Sequence, residues 1–165
     1  MKLSETFFVD SPIGRIQIFC CENKVLEINL GIDSKKRAHS PSITKDNNLS
    51  LFAQSVKSQL GSYFQNANAS LKFNLQAEGT NFQKSVWRII KSIKKGETLT
   101  YTDVAQKLNS SPRAVGNACR ANPIPIIVPC HRVISKAGLG GFAGQRDGNN
   151  VDVKSWLLQH EQNAI

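Results

Sequence analysis

The sequence predicts an α+β chain, strands first and helices after, organised as an N-terminal α/β domain at 1–78 and a C-terminal domain at 79–165. Three observations carry this. Residues 7–30 alternate apolar and polar side chains between turn signals, the pattern of half-buried antiparallel strands. Beyond Gly79, apolar residues recur at helical spacing behind good capping residues. The length, 165 residues, suits one compact domain or two small ones.

Phe7-Phe8-Val9 leads into the turn signal Asp10-Ser11-Pro12-Ile13-Gly14. Ile16, Ile18 and Cys20 then alternate with Arg15, Gln17 and Phe19, and Val25, Ile28 and Leu30 follow Glu22-Asn23-Lys24. Residues 31–48, rich in Lys, Ser, Asp and Asn, read as a surface loop. Leu49, Phe52, Val56, Leu60 and Tyr63 make one face of an amphipathic helix over 49–64, and Phe73 with Leu75 suggests a further strand.

In the second half, Thr80 and Gln83 have capping-box spacing before the stripe Phe82, Val86, Ile89, Ile90 and Ile93, and Gly96 is the expected stop. Thr100 and Asp103 open another helix, with Val104, Ala105 and Leu108 inward. After the turn Asn109-Ser110, Ser111 is a good N-cap and Pro112 fits the first helical position of a third helix. Two short helices across a tight polar turn predict a helix-turn-helix. The third helix carries small residues at Ala114, Gly116, Ala118 and Ala121 between Arg113 and Arg120. Small side chains permit close approach, either to another helix or to a nucleic-acid groove. Pro123, Pro125 and Pro129 predict a stiff extended segment that delivers Cys130, followed by a glycine-rich loop at 138–144. A final helix after Asn149-Asn150 places Val153, Trp156, Leu157 and His160 on its apolar face, with Glu161 near its end.

The net charge is +9, and its placement matters more than its size. Residues 81–136 hold ten Lys/Arg against two Asp/Glu, whereas 1–80 hold nine against seven. A basic stretch of this kind suits a polyanion. The longest apolar run, Pro125-Ile126-Ile127-Val128-Pro129, is far short of the roughly 20 residues that span a bilayer. Met1-Lys2-Leu3-Ser4-Glu5 lacks the apolar core of a secretory signal, and a soluble cytoplasmic protein is expected. Cys20, Cys21, Cys119 and Cys130 form no disulfide framework, and Cys20, Cys21 and His39 fit no compact zinc spacing. No metal and no cofactor is expected.

Cys130 is the candidate nucleophile. A thiol reacts as its thiolate, so it needs a nearby base or cation. His131 adjoins it, but in extended backbone the two side chains point to opposite faces, which favours a bridging water over a direct bond. Glu161 is the candidate carboxylate behind the imidazole. Cys119 reads as helix packing.

Pro129-Cys130-His131-Arg132-Val133 resembles the active-site signature of the O6-alkylguanine-DNA alkyltransferases, also called methylated-DNA–protein-cysteine methyltransferases. Gly79-Thr80-Asn81-Phe82-Gln83, Arg113-Ala114-Val115-Gly116, Arg120-Ala121-Asn122-Pro123 and Trp156-Leu157-Leu158-Gln159-His160-Glu161 match in order. The likeness is strong over 79–161 and weak before it. It implies a ribonuclease H-like N-terminal unit and a helical, winged-helix-like C-terminal domain. It implies repair of O6-alkylguanine, and of O4-alkylthymine, by single, irreversible transfer of the alkyl group to Cys130. The partner implied is double-stranded DNA, bound by a monomer in the minor groove with the damaged nucleotide flipped out. Carried onto this chain, Cys130, His131, Glu161, Asn122 and Tyr101 are catalytic. Ser111, Arg113, Ala114, Gly116 and Arg120 meet DNA. Tyr101, Val133, Gly141, Phe142, Ala143 and Gly144, with the Cys130 and Val133 carbonyls, hold the base.

The chain departs from the family pattern in a shorter turn before Arg113, extra residues at 145–150, hydroxyl-free Phe142-Ala143, and Lys94-Lys95 where proline is common. Three other readings compete. A non-enzymatic binder of the alkyltransferase-like type would lack Cys130. A transcription factor would need base-reading side chains where this helix has alanine and glycine. A cysteine hydrolase would need an oxyanion hole.

Overall fold

The computed structural model describes residues 3–31, 42–142 and 149–164. The chain divides into two compact units, Met1–Ala77 and Glu78–Ile165.

In the first unit, β1 (Ser4–Ser11), β2 (Gly14–Cys21) and β3 (Lys24–Asn29) form an antiparallel sheet in sequence order. The first hairpin turns on Pro12-Ile13, with Ser11 paired to Gly14. The second turns on Glu22 and Asn23, both with positive φ (51° and 59°). Two left-handed central residues make the turn whose twist matches its flanking strands. The alternation has the expected consequence: Ile16, Ile18 and Cys20 are buried along one face of β2. A short 3-10 turn lies at Asp46–Asn48. The helix α1 (Leu51–Gln65) buries Ala53, Val56, Leu60, Tyr63 and Phe64 and packs on β1. Its N-cap Ser50 accepts from Ala53 N, and Glu5 in turn accepts from Ser50 N and Oγ, both at 2.6 Å. The strand expected at 73–75 reduces to a single parallel bridge between Val25 and Leu75. Hydrogen bonds from Val25 N to Asn74 O and from Gln76 N to Val25 O hold it, and the pairing extends no further.

In the second unit, α2 (Asn81–Ser92), α3 (Tyr101–Lys107) and α4 (Pro112–Arg120) follow the sequence-level caps. Thr80–Gln83 and Thr100–Asp103 are complete capping boxes, and Ser111 accepts from Ala114 N with Pro112 at the helix start. Helices α2, α3 and α4 pack on one another, and Trp87 Nε1 donates to Ala118 O at 2.8 Å. Gly79 is required here: a Cβ would lie 2.5 Å from the Trp87 ring.

Three expectations fail in this unit. Gly96 does not end α2, because Ile93 is already extended; Gly96 (φ 81°) instead lies in the turn closed by Glu97 N to Lys94 O. The segment 123–129 is not extended either. Val128 N bonds Ile124 O, Ile126 takes φ 75°, and Cys130 N bonds Val128 O across Pro129 (φ −82°, ψ 67°), an inverse γ-turn. Proline excludes a helix, but its fixed φ suits a tight turn as well as a strand. Two short strands that sequence reading did not foresee, β4 (Leu99–Thr100) and β5 (Val133–Ile134), pair in parallel and bracket the Cys130 turn. The last helix, α5 (Asn149–Gln162), includes Asn149-Asn150 rather than following them. Along it, Trp156 and His160 are half-buried and stack at 4.6 Å, while Val153 and Leu157 are buried.

Candidate active site

Cys130, His131 and Arg132 form one turn of 3-10 helix closed by Val133 N on Cys130 O. All three are buried. Three residues per turn send successive side chains about 120° apart, so the opposed-face geometry of an extended strand does not apply here. Cys130 therefore leaves this short turn toward Asn122, while His131 and Arg132 both reach Glu161.

Cys130, 5% exposed, meets Asn122. The Asn122 amide donates to Cys130 Sγ at 3.1 Å and to Val128 O at 2.8 Å, while its oxygen accepts from Ile124 N at 3.0 Å. One side chain thus fixes the sulfur and both ends of the proline-containing turn. Cys119, near the end of α4, comes under the influence of Cys130. That influence, and then burial, raises the Cys119 thiol well above its ordinary range.

His131 is fully buried. Its Nε2 lies 3.0 Å from Glu161 Oε1 without an aligned hydrogen bond, and Nδ1 meets no partner among the described residues. Glu161 is claimed more firmly by Arg132, whose Nε and Nη2 bond its two oxygens at 2.8 Å each. The remaining guanidinium nitrogen, Nη1, donates to Ile93 O at 2.6 Å, the carbonyl left over at the end of α2. Burial pushes the Glu161 carboxyl up, but the hydrogen bonds and charge of Arg132, together with the adjacent His131, prevail and hold it well below the usual carboxylate range. Burial holds His131 below its ordinary value against the pull of Glu161. The imidazole is therefore a neutral base with a charged carboxylate beside it.

Lys154 is the residue that sequence reading missed. It is fully buried, and its ammonium donates to Val133 O at 2.6 Å and Gly141 O at 3.0 Å, 5.7 Å from the Tyr101 ring centroid. Burial lowers its pKa to about 8, opposed by Cys119 and Cys130. Its signal was available: 154, 157, 158 and 161 fall on one helix face, and the other three are buried. Arg132 was quoted as part of a motif but given no role.

Half-buried Tyr101 donates its hydroxyl to Gly141 O at 3.2 Å; burial, then the two thiols, raise its pKa. The Val133 and Cys130 carbonyls each have one internal partner, which leaves each a further lone pair for a ligand, whereas Gly141 O already accepts from both Tyr101 and Lys154. Phe142 is buried, and Ala143, Gly144 and residues 145–148 lie outside the described residues. The five residues assigned to DNA sit together on α4 and its cap, apart from this cluster in role. Ser111, Arg113 and Arg120 are exposed, and Ala114 and Gly116 are half-exposed. A Cβ on Gly116 would meet no atom within 4 Å, so its small size answers no packing demand inside the protein. No group of three or more metal-ligating side chains occurs among the described residues, and His39 lies outside them.

With this geometry in hand, comparison with known proteins is direct. The sequence profile for the DNA-binding domain of 6-O-methylguanine DNA methyltransferase matches residues 81–163, and that for its ribonuclease-like domain matches residues 6–77. The chain belongs to the 6-O-methylguanine DNA methyltransferase family. It is 38% identical over 160 residues to the methylated-DNA–protein-cysteine methyltransferase of Methanosarcina barkeri, covering 95% of this chain and 96% of that one. The Methanosarcina acetivorans protein of the same name is 39% identical over 155 residues, 92% and 94% of the two chains. Among solved structures, the O6-methylguanine methyltransferase of Mycobacterium tuberculosis superposes with a TM-score of 0.82 at 28% identity, covering 99% of this chain and 95% of that chain. The same organism's protein in complex with DNA gives 0.75 at 30% identity, covering 97% and 94%. The α+β class and the pairing of a ribonuclease-like unit with a helical DNA-binding unit follow. No described helix is long and apolar enough to cross a membrane.

Proposed function

We propose that this family member repairs DNA by moving the alkyl group of O6-alkylguanine onto Cys130, once per molecule. The observation that carries the reading is a buried sulfur held by Asn122 amid Tyr101, Lys154 and a neutral, carboxylate-backed His131. In the reaction, the thiol proton passes to His131 through water, and sulfur attacks the alkyl carbon in line. The carbon–oxygen bond breaks, its electron pair goes to the guanine, and Tyr101 protonates the base on its N3 side. Reprotonation of Tyr101 leaves the original thiol proton on the base and a stable thioether on the protein. Asn122 orients the sulfur, and Glu161 supports the charged imidazole.

With Cys130 only 5% exposed, its sulfur is out of reach of a base stacked in duplex DNA. Nucleotide flipping is the economical route, and α4 is suited to the minor groove by its small Ala114 and Gly116 between exposed Arg113 and Arg120. The same chemistry extends to O4-alkylthymine, which also carries its alkyl group on an exocyclic ring oxygen. We take the acting species to be a monomer in the cytoplasm.

The test is to incubate the protein with duplex containing O6-methylguanine and weigh the tryptic peptide 121–132. One methyl in place of the thiol hydrogen is expected at Cys130, stoichiometric with protein and absent from Cys130→Ala. Repeated turnover, or an unmodified peptide after complete exposure, would refute it.

A further inference from the structure

The family reaction needs one sulfur, yet the site holds two. Cys119 ends α4 and Cys130 opens the turn after the proline segment, and Cys130 is the group that acts most strongly on the Cys119 thiol. A second link keeps the two residues in register: Asn122 N bonds Cys119 O at 3.2 Å, while the Asn122 amide bonds Cys130 Sγ at 3.1 Å. The Lys154 ammonium acts electrostatically on both sulfurs. By contrast Cys20 is buried in the other unit's core, its thiol pushed up to about 12 chiefly by burial.

We infer that Cys119 and Cys130 form an oxidation site, in which Cys119 is the resolving thiol that converts an oxidised Cys130 into a reversible disulfide. The inference rests on Cys130 being the reactive thiol of the function proposed above. The co-reactant is a peroxide. Cys130 sulfur attacks one peroxide oxygen, the O–O bond breaks, and with hydrogen peroxide the products are a sulfenic acid and water. Cys119 sulfur then attacks Cys130 sulfur, the S–S bond forms, and the sulfenic hydroxyl leaves with the Cys119 proton as a second water. The two thiols lose two electrons in all, and the peroxide gains them.

The order of events follows from the function proposed above: Cys130 is the reactive thiol, so oxidation starts there and Cys119 acts second. The disulfide withdraws Cys130 from alkyl transfer and also shields it from further, irreversible oxidation. A thiol reductant returns it.

Trypsin cuts after Arg113, Arg120 and Arg132, which puts the two cysteines on separate peptides, 114–120 and 121–132. After brief hydrogen peroxide treatment of the full chain and blocking of remaining thiols, the two peptides should appear as one disulfide-linked species. Methyl transfer should be lost in step with it and fully restored by dithiothreitol. In Cys119→Ser and Cys119→Ala, the same treatment should carry Cys130 to sulfinic and sulfonic acid, which dithiothreitol does not reverse. Sulfinic Cys130 in the unsubstituted chain, at the rate seen in the variants, would overturn the inference. So would a linkage of Cys130 to Cys20, to Cys21 or between molecules. The peptide linkage is read without any DNA, so it stands or falls separately from alkyl transfer by the untreated protein.

Discussion

Cys20 and Cys130 are both buried cysteines of one chain, and their surroundings are opposite. Around Cys20 the first unit is an apolar core of Phe7, Ile16, Ile18, Val25 and Leu60, where the buried polar residues among those described are Glu5 and Thr6. Around Cys130 the second unit buries Asn122, His131, Arg132, Lys154 and Glu161. Apolar burial makes a thiol inert, because it removes the solvent that a thiolate needs. Polar burial surrounds the thiol with groups that replace that solvent at fixed positions. The difference shows that burial alone says nothing about reactivity; what fills the space beside the sulfur decides it.

The sharpest way to break this contrast is to exchange the cysteines' roles by deletion. Cys130→Ala should abolish uptake of labelled methyl from damaged duplex, whereas Cys20→Ala should leave uptake per folded molecule unchanged.

The next largest effect falls on stability. Arg132→Met removes both guanidinium bonds to Glu161 and the bond to Ile93 O. A buried charge left without its partner typically costs about 3–5 kcal/mol. The loss should appear in urea unfolding and, by hydrogen exchange, in peptides of residues 78–165. Glu5→Ala in the first unit should cost less, about 1–3 kcal/mol for the unsatisfied cap, with no change in transfer rate per folded molecule. Equal losses from the two substitutions would erase the distinction between the units.

Lys154→Met keeps length and apolar bulk but leaves the Val133 and Gly141 carbonyls without their shared donor. About 1–3 kcal/mol of destabilisation is expected, and transfer should slow several-fold because β5 and the glycine loop lose their common anchor. Single-turnover kinetics at saturating DNA would measure it.

The smallest effect is the pH response. His131 is held below its ordinary 6.5 and Glu161 below 4.5. For both groups the unfolded chain binds the proton more readily, so unfolding takes up protons and stability falls with acid. The decline begins as pH drops through about 6.5 on the histidine's account and steepens below about 4.5 as the carboxyl joins it. His131→Gln should flatten the upper part of the urea-midpoint profile and leave the lower part in place.

Much of the fold was legible because it is local. Thr80 with Gln83, Thr100 with Asp103, and Ser111 with Pro112 each fix a helix start through groups three residues apart or fewer. Cys130, His131, Asn122, Tyr101 and Glu161 were legible as a motif, and they do gather in one unit. What escaped reading depends on partners distant in sequence. The helix face shared with Leu157, Leu158 and Glu161 marks Lys154 as inward, but the two carbonyls from other segments that receive its ammonium are not written in α5. Arg132 has its role only because α2 stops short and leaves Ile93 O open. The proline segment misled for a different reason: the fixed φ of proline is shared by strand and turn, and only the bond from Cys130 N to Val128 O chooses between them.

That guanidinium grasp on Ile93 O has an implication for how the sequence can drift. One arginine reads the stopping point of a helix 39 residues upstream and, with the same planar group, steadies the acid beside the imidazole. Lengthening or shortening α2 by a single residue would turn that carbonyl aside and disturb the histidine's environment without touching either side chain. Lys94 and Lys95 should therefore tolerate substitution far better than the segment 93–96 tolerates insertion or deletion.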